Sequence, residues 1–577
     1  MKNLMLGNKA VARGLYEAGC EFVSSYPGTP STEITEEVAK FSEVYAEWAP
    51  NEKVAMESAF GASLSGKRSF CAMKHVGLNV AADPLFTISY TGVNAGMVIA
   101  VADDPGMHSS QNEQDSRHYA VSAKLPMLEP SDSKEALEMT KAAFEISEKF
   151  DTAVLLKMCT RVAHSQSLVE TKERIAAPEH TYEKNIAKYV MMPAMAKKKH
   201  PVVEKRLTLL TDFAEETELN RIENGKSDEI GFITSSTSYQ YIKEVFGDEY
   251  PVLKIGMINP LPVKKIRNFA ETVQRVIIVE ELDGVIENHC NSIGIKADGK
   301  NIFGNIDELS QNAIREKLGL SVPETKKTDE IVPNRPPVMC AGCPHRGLFY
   351  TLKKNAITVL GDIGCYTLGA VAPLSAMDTT VCMGASVSSL HGFNKAGGDS
   401  KKSVAVIGDS TFIHSGVTGL INIAYNDSNS VVIILDNSIT GMTGHQQNPT
   451  TGFNLKGDPA AKIDLEALCR AVGIKNVRII DPYNLSECDR VINEELQKDE
   501  ASVIISRRPC ALLKYVKHPG PITPNTDKCI GCKSCMKIGC PAISVVNKKV
   551  IIDNTLCTGC GVCSELCKFD VLSSEEG

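Results

Sequence analysis

Long apolar runs are missing from this sequence. No stretch approaches the ~20 residues a helix needs to cross a bilayer. Residues 1–7 hold too short an apolar stretch for a secretory leader before Lys9 and Arg13 intervene. Surplus positive charge is missing as well: 62 Lys and Arg against 70 Asp and Glu give a formal net charge of −8. Nucleic acid and anionic membranes are poor partners for such a chain, and a cytoplasmic location is expected. What is left is the composition of a soluble globular protein, 43% hydrophobic and 23% charged over 577 residues. A prior of roughly 150 residues per domain suggests about four domains.

The stretch from Ser403 to Gln447 organises the rest. A short apolar run, Val404 to Ile407, breaks at Gly408-Asp409-Ser410, and a helical segment follows to about Tyr425. A second run, Val431 to Leu435, ends in Asp436-Asn437. Two β-branched runs around a helix predict a βαβ unit whose parallel strands end at the same sheet edge. Asp409 and Asn437 should then arrive side by side, where ligands of open α/β sheets bind. One carboxylate and one amide oxygen suit Mg²⁺, a hard ion that also keeps phosphate and water oxygens. The residues from Ser438 to Gly444 can bend so that a carbonyl, that of Ile439, faces the metal. N–H groups near Thr443 and Gly444 would then face a diphosphate. An ordinary buried βαβ unit with polar turns is the alternative.

Around this unit the chain alternates helices and strands. Residues 1–185 predict a parallel α/β domain. Tyr26 to Thr32 reads as a loop, with Ser31-Thr32 and Glu33 capping the next helix. The strand Phe70 to Met73 leads into a loop from Lys74 to Asn79, and Met97 to Val101 ends in a polar loop reaching Arg117. Between Tyr182 and Lys205 a basic stretch with Pro193 and Pro201 reads as an irregular surface linker. A third α/β unit, 200–328, ends one strand at Glu280, Glu281 and Asp283, which read as exposed acids. Past Pro333 to Pro337 come Cys340-Ala-Gly-Cys343-Pro-His345 and Gly361-Asp-Ile-Gly-Cys365, within a domain at 334–517. No second CxxC with zinc spacing lies near the first.

The tail, 521–577, holds eight of the 19 cysteines. Cys529, Cys532 and Cys535 are followed by Cys540; Cys557, Cys560 and Cys563 are followed by Cys567. These triplets match two-cluster bacterial-type ferredoxins, in which each triplet takes its fourth ligand from the other motif. One [4Fe–4S] cluster should use Cys529, Cys532, Cys535 and Cys567, the other Cys557, Cys560, Cys563 and Cys540. One residue more than usual separates Cys535 from Cys540 and should bulge a loop. Pro519-Gly-Pro521 reads as a severable boundary, so a chain ending at Lys517 should keep everything upstream.

The pair Gly408-Asp409-Ser410 and Asp436-Asn437 resembles the thiamine diphosphate motif, with Ser410 and Asp436 as departures. The continuation from Asp436 to Gln446 is similar to the corresponding loop of 2-oxoacid:ferredoxin oxidoreductases. The resemblance covers the whole chain. Tyr26 to Ser31 is similar to that family's first cofactor loop, which implicates Pro27 and Thr29. Counting back from Gly61 to Gly66 puts the family's catalytic glutamate on Glu52, with Glu57 the competitor. Cys340, Cys343, His345, Gly364 and Cys365 would line the thiamine pocket, with Gly408 and Ser410 beside the diphosphate; Pro344 displaces His345 from the family's pattern. His75, His414 and His445 should sit in loops facing the cofactor.

The resemblance implies three thiamine-enzyme-like parallel-sheet domains: pyrimidine-binding, transketolase C-terminal-like and diphosphate-binding. A two-cluster ferredoxin-like domain completes the α/β chain. It implies thiamine diphosphate, Mg²⁺ and two [4Fe–4S] clusters as cofactors. It further implies oxidative decarboxylation of an aryl-pyruvate with coenzyme A, a small β subunit in a heterodimer that assembles further, and external ferredoxin as acceptor. The alternatives are another 2-oxoacid or a non-oxidative thiamine-dependent decarboxylase.

Overall fold

The computed structural model describes residues 2–324, 333 and 336–572. The chain divides into two compact units, Met1–Thr328 and Asp329–Gly577. The boundary expected between 328 and 334 falls almost wholly outside the described residues.

In the first unit a seven-stranded sheet runs in the order Met257–Asn259, Met127–Leu128, Val154–Cys159, Met97–Asp103, Ser69–Lys74, Phe22–Ser25, Tyr45–Trp48. All its pairings are parallel except that of Met257–Asn259 with Met127–Leu128. The three central strands are buried along their whole length, as strands of a sheet covered on both faces must be. A second, five-stranded sheet follows the order Ala297–Asp298, Val276–Val279, Gly231–Ser235, Val252–Ile255, Arg221–Glu223, antiparallel only at the last pair. One apolar core joins Ile99 and Leu155 to Ile233, Leu253 and Ile278, so the sheets share an interior.

Three expectations change here. The basic stretch foreseen as an irregular linker lies mostly in a helix, Pro193–Glu216. Pro193 suits its first turn, where a missing N–H costs nothing. Val203, Arg206, Leu210 and Ala214 form a buried stripe at helical spacing, and Arg206 donates to the Ser89 and Asp151 carbonyls. The Lys74 to Asn79 loop is instead largely a helix, His75–Val80. Ser31 does not cap the helix Thr32–Val38; its hydroxyl donates to Gly28 O at 2.8 Å and ties up the preceding loop.

The second unit is built on a five-stranded all-parallel sheet, Thr358–Leu360, Ser403–Gly408, Val431–Asp436, Ser502–Arg507, Asn476–Ile480. Apolar cores cover both faces. Gly408 pairs with Leu435, so Asp409 falls level with Asp436, and Asn437 lies one residue further on. The cysteine-rich tail carries a short antiparallel pair, Ile543–Val546 and Lys549–Ile552. Its Ile522, Ile538 and Val562 pack with Leu485, Tyr350 and Tyr483 of the sheet domain. The tail is therefore not cleanly severable at Lys517, because cutting there would strip apolar cover from Leu485. Among the described residues no helix is long and apolar enough to cross a membrane.

Candidate active site and cysteine nests

In the second unit the strand Ser403–Gly408 delivers Asp409 to the carboxyl edge of the sheet, fully buried. Its carboxylate accepts from Ser410 N at 2.7 Å and Thr450 Oγ1 at 3.3 Å. Neither donor carries charge. Burial, then the neighbouring Asp436 carboxylate, pushes the Asp409 pKa up to about 7. Asp436 has a cation of its own, Arg507 Nε at 2.8 Å. Asn437 is buried, and its Oδ1 accepts from Ile439 N at 3.3 Å. Two adjacent buried carboxylates, of which Arg507 pairs with Asp436 alone among the described residues, make a donor set that fits a divalent ion.

The loop beyond closes on itself as a hairpin, with Thr440 and Gln446 exchanging backbone hydrogen bonds at 3.0 and 3.2 Å. It contains Thr443, whose hydroxyl donates to Gln446 Oε1 at 2.5 Å, and Gly444 with φ of 121°. Thr440 Oγ1 donates to Ser410 Oγ at 2.9 Å and links this hairpin to the first strand end. Gly408 and Gly364 both abut the Tyr366 ring; a Cβ on them would lie 2.8 and 2.3 Å from it. Cys365 Sγ would lie 3.4 Å from a Cβ on Gly441, placing the Gly361 to Cys365 turn beside the same loop.

The predicted histidines end up in different surroundings. His345 opens the helix His345–Lys354 and packs edge-on against Tyr366 at 6.0 Å. Burial lowers its pKa to about 4. His414 lies in a π-helical turn, Phe412–Gly416, rather than a loop, with Nδ1 2.6 Å from Ser415 Oγ. His445 is in the expected loop, exposed, with Nε2 4.0 Å from Cys510 Sγ.

In the first unit Glu52 is buried at the start of the helix Glu52–Leu64, whose end Asn51 caps by accepting from Val54 N at 2.9 Å. Gly77 lies against it; a Cβ there would come within 2.6 Å of the Glu52 carboxylate oxygen. Glu57 is exposed and paired with Lys53. Pro27 is buried and Thr29 half-buried in the loop after Phe22–Ser25. His75 is buried at the head of its helix, its pKa lowered by burial and by Lys74. Glu280 and Glu281, expected as exposed acids, are buried; Asp283 remains exposed. Glu280 Oε2 accepts from Arg117 Nη1 at 2.5 Å, a partner 163 residues away that no local pattern could reveal.

The tail cysteines gather into two nests. Cys540, Cys557, Cys560 and Cys563 line one pocket, together with Gly342, Cys343 and Arg346. Cys529, Cys532, Cys535 and Cys567 line another. The extra residue before Cys540 is taken up by a 3₁₀ turn, Ser534–Ile538, closed by Gly539 with φ of 67°. Cys340 and Cys343 begin a turn, Cys343 N donating to Cys340 O at 3.2 Å.

Residues 13–228 match the model of the pyruvate flavodoxin/ferredoxin oxidoreductase thiamine diphosphate-binding domain. Residues 362–506 match that of the thiamine pyrophosphate enzyme C-terminal domain, and 550–573 that of the 4Fe–4S binding domain. The indolepyruvate oxidoreductase subunit IorA of Archaeoglobus fulgidus is 40% identical, the match covering 98% of this chain and 96% of that one. The IorA subunit of Pyrococcus horikoshii is also 40% identical with the same coverage. The chain belongs to the IorA family. It is a thiamine diphosphate-dependent enzyme of the 2-oxoacid:ferredoxin oxidoreductase class with a 4Fe–4S-binding tail. That class couples oxidative decarboxylation of a 2-oxoacid to ferredoxin. A 2-oxoglutarate synthase subunit KorA of Archaeoglobus fulgidus is 24% identical over 52% of this IorA-family chain and 95% of its own length.

Sequence reasoning overlooked several residues at this site. Thr450 and Arg507 bond the two carboxylates but stand in no motif. Asp362 was visible in Gly361-Asp-Ile-Gly yet was given no role. It is buried and accepts from Gly384 N and Ser386 N at 2.9 and 3.0 Å, fixing the turn into the helix Ala385–Lys395.

Proposed function

We propose that the chain decarboxylates aryl-pyruvates such as indolepyruvate, phenylpyruvate and hydroxyphenylpyruvate, passing the acyl group to coenzyme A and two electrons through two [4Fe–4S] clusters to ferredoxin. A small β subunit completes the enzyme, as a heterodimer that assembles further. The substrate class rests on the relatives named indolepyruvate oxidoreductase. The observation that carries the chemistry is Asp409: a fully buried acid facing a second acid, with only neutral donors, at the edge where a parallel sheet binds its ligands.

Asp409, Asn437 and the Ile439 carbonyl would hold Mg²⁺, and the Thr443 and Gly444 turn would meet the diphosphate. Bound thiamine diphosphate supplies a carbanion equivalent and an electron sink. Glu52, at the head of its buried helix, would keep the aminopyrimidine in its proton-accepting form, with Pro27 and Thr29 shaping the adjoining loop. Burial and then Lys74 lower the pKa of His75, which favours its neutral form. Cys340, Cys343, Gly364 and Cys365 would line the turns beside the diphosphate. The two cysteine nests would hold one cluster each, within domains at 1–185, 200–328, 334–517 and 521–577.

The test is an anaerobic oxoacid panel with partner subunit, coenzyme A and viologen. Aryl-pyruvates should exceed pyruvate and 2-oxoglutarate in kcat/KM; a preference for 2-oxoglutarate would sink the substrate assignment. Glu52→Gln should still bind the cofactor but slow its C2 proton exchange, general acid–base help being worth ~10²–10⁴-fold.

A further inference from the structure

The charge balance of the tail supports one more inference, which rests on the two-cluster reading above. Arg346 is the second residue of the helix His345–Lys354 and is buried. Its guanidinium donates to Cys340 O at 3.0 Å and Ile538 O at 3.2 Å, and also to the Met339 and Gly539 carbonyls. Every one of these acceptors is a backbone dipole. Among the described residues no carboxylate pairs with it. Carbonyls can solvate a cation but cannot cancel its charge, and burying an unbalanced ion is costly.

What Arg346 does share is a pocket with Cys540, Cys557, Cys560 and Cys563. Four thiolates around an iron–sulfur cube carry net negative charge, and reduction adds one more. The other nest differs in kind. Cys532 and Ile530 are exposed there, and its cation, Lys533, belongs to the same open turn. A charge in water is screened; a charge in the interior is not. The nest against the sheet domain is also the enclosed one, since Gly342 abuts Thr558 so closely that a Cβ would come within 2.4 Å of its hydroxyl.

We propose that Arg346 is the charge partner of the cluster held by Cys540, Cys557, Cys560 and Cys563, and that it raises that cluster's reduction potential above that of the outer one. The step it favours is a one-electron reduction in which no bond forms or breaks. The electron comes from the 2-oxoacid substrate as it is oxidised and leaves toward ferredoxin through the outer nest. The inner cluster thereby becomes the better electron acceptor on the side facing the sheet domain.

The test is an EPR-monitored redox titration of the holoenzyme, with the inner signal assigned by its loss in Cys560→Ser. Arg346→Gln should keep both clusters' iron and lower the inner potential by a ten-fold change in the reduction equilibrium or more, about 59 mV for one electron. The outer potential should not move. Two wild-type potentials in Arg346→Gln would overturn the proposal. If that variant does not assemble, Arg346→Lys decides. Both potentials close to wild type would support a charge role. A folded Lys variant whose inner potential falls as expected for Gln would overturn it, because donor geometry rather than charge would then set the potential. Wild-type protein with the iron and EPR signal of a single cluster would refute the two-cluster reading itself.

Discussion

Asp115 and Asp409 are buried to nearly the same depth and behave oppositely. Asp115 is gripped by Arg117, with Nε at 2.9 Å and Nη2 at 2.6 Å, and its pKa falls to about 2 although burial alone would raise it. Asp409 faces Asp436, has no cation partner among the described residues, and rises to about 7. Nearby, Lys157 lies 2.6 Å from Glu129 and holds its pKa down, while burial pushes Glu281, which has no ion pair among the described residues, up to about 7. Burial raises each of these acids, and a close cation offsets it: more than fully at Asp115 and Glu129, only in part at Glu280, which stays raised beside Arg117. The Arg117 region is closed by its own side chains. Among the described residues the Asp409 carboxylate meets only uncharged donors.

The largest effect should come from breaking the closed side. Arg117→Met leaves Asp115 and Glu280 buried without their cation, and chemical denaturation should show a loss of about 3–5 kcal/mol. A loss below 1 kcal/mol would mean that the acids simply take up protons and that the network is dispensable. On the open side, Asp409→Asn should behave in the other direction. The cofactor-free protein should be at least as stable as wild type at pH 8. The stabilisation that Mg²⁺ and thiamine diphosphate give, about 2.7 kcal/mol at a hundred times Kd, should disappear. An unchanged thermal shift on adding both would erase the contrast.

Glu281 sharpens the comparison through pH. Its folded pKa of about 7 lies above the ordinary 4.5, so its contribution is whole below pH 4.5 and is lost as pH rises through 7. Glu281→Gln should match wild type near pH 4.5 and exceed it at pH 8, by on the order of 3 kcal/mol. Parallel stability curves for the two proteins would show that Glu281 is charged at no cost. The smallest effect belongs to Glu57, whose exposed pair with Lys53 contributes little. Glu57→Gln should change stability by less than about 0.5 kcal/mol and leave cofactor C2 exchange untouched. A slowed exchange in that variant would exchange the roles of Glu57 and Glu52.

What was legible in the sequence was local. Two β-branched runs around a helix gave the strand pair and both its polar ends, because strand length and side-chain period are written in neighbouring residues. The cysteine triplets were legible in their local spacing, while the crossed fourth cysteine of each nest came from the likeness to two-cluster ferredoxins. The second acid at the sheet edge, Asp436, was quoted only as a departure from a motif, and register makes it the residue level with Asp409. Arg117 with Glu280, and Arg346 with the Ile538 carbonyl, join residues more than a hundred positions apart and leave no periodic trace. The helix Pro193–Glu216 was hidden because Pro201 and the lysines mask a stripe that only packing reveals.

The strand Met257–Asn259 is the edge of the seven-stranded sheet, yet it belongs by chain order to the second α/β segment. A chain made only as far as Gly256 would leave Met127–Leu128 without this partner. A waiting edge strand is a template for wrong pairing, and a contact of such long sequence span closes slowly. Expressing residues 1–185 alone should yield a sheet that seeks its missing strand in other copies of itself.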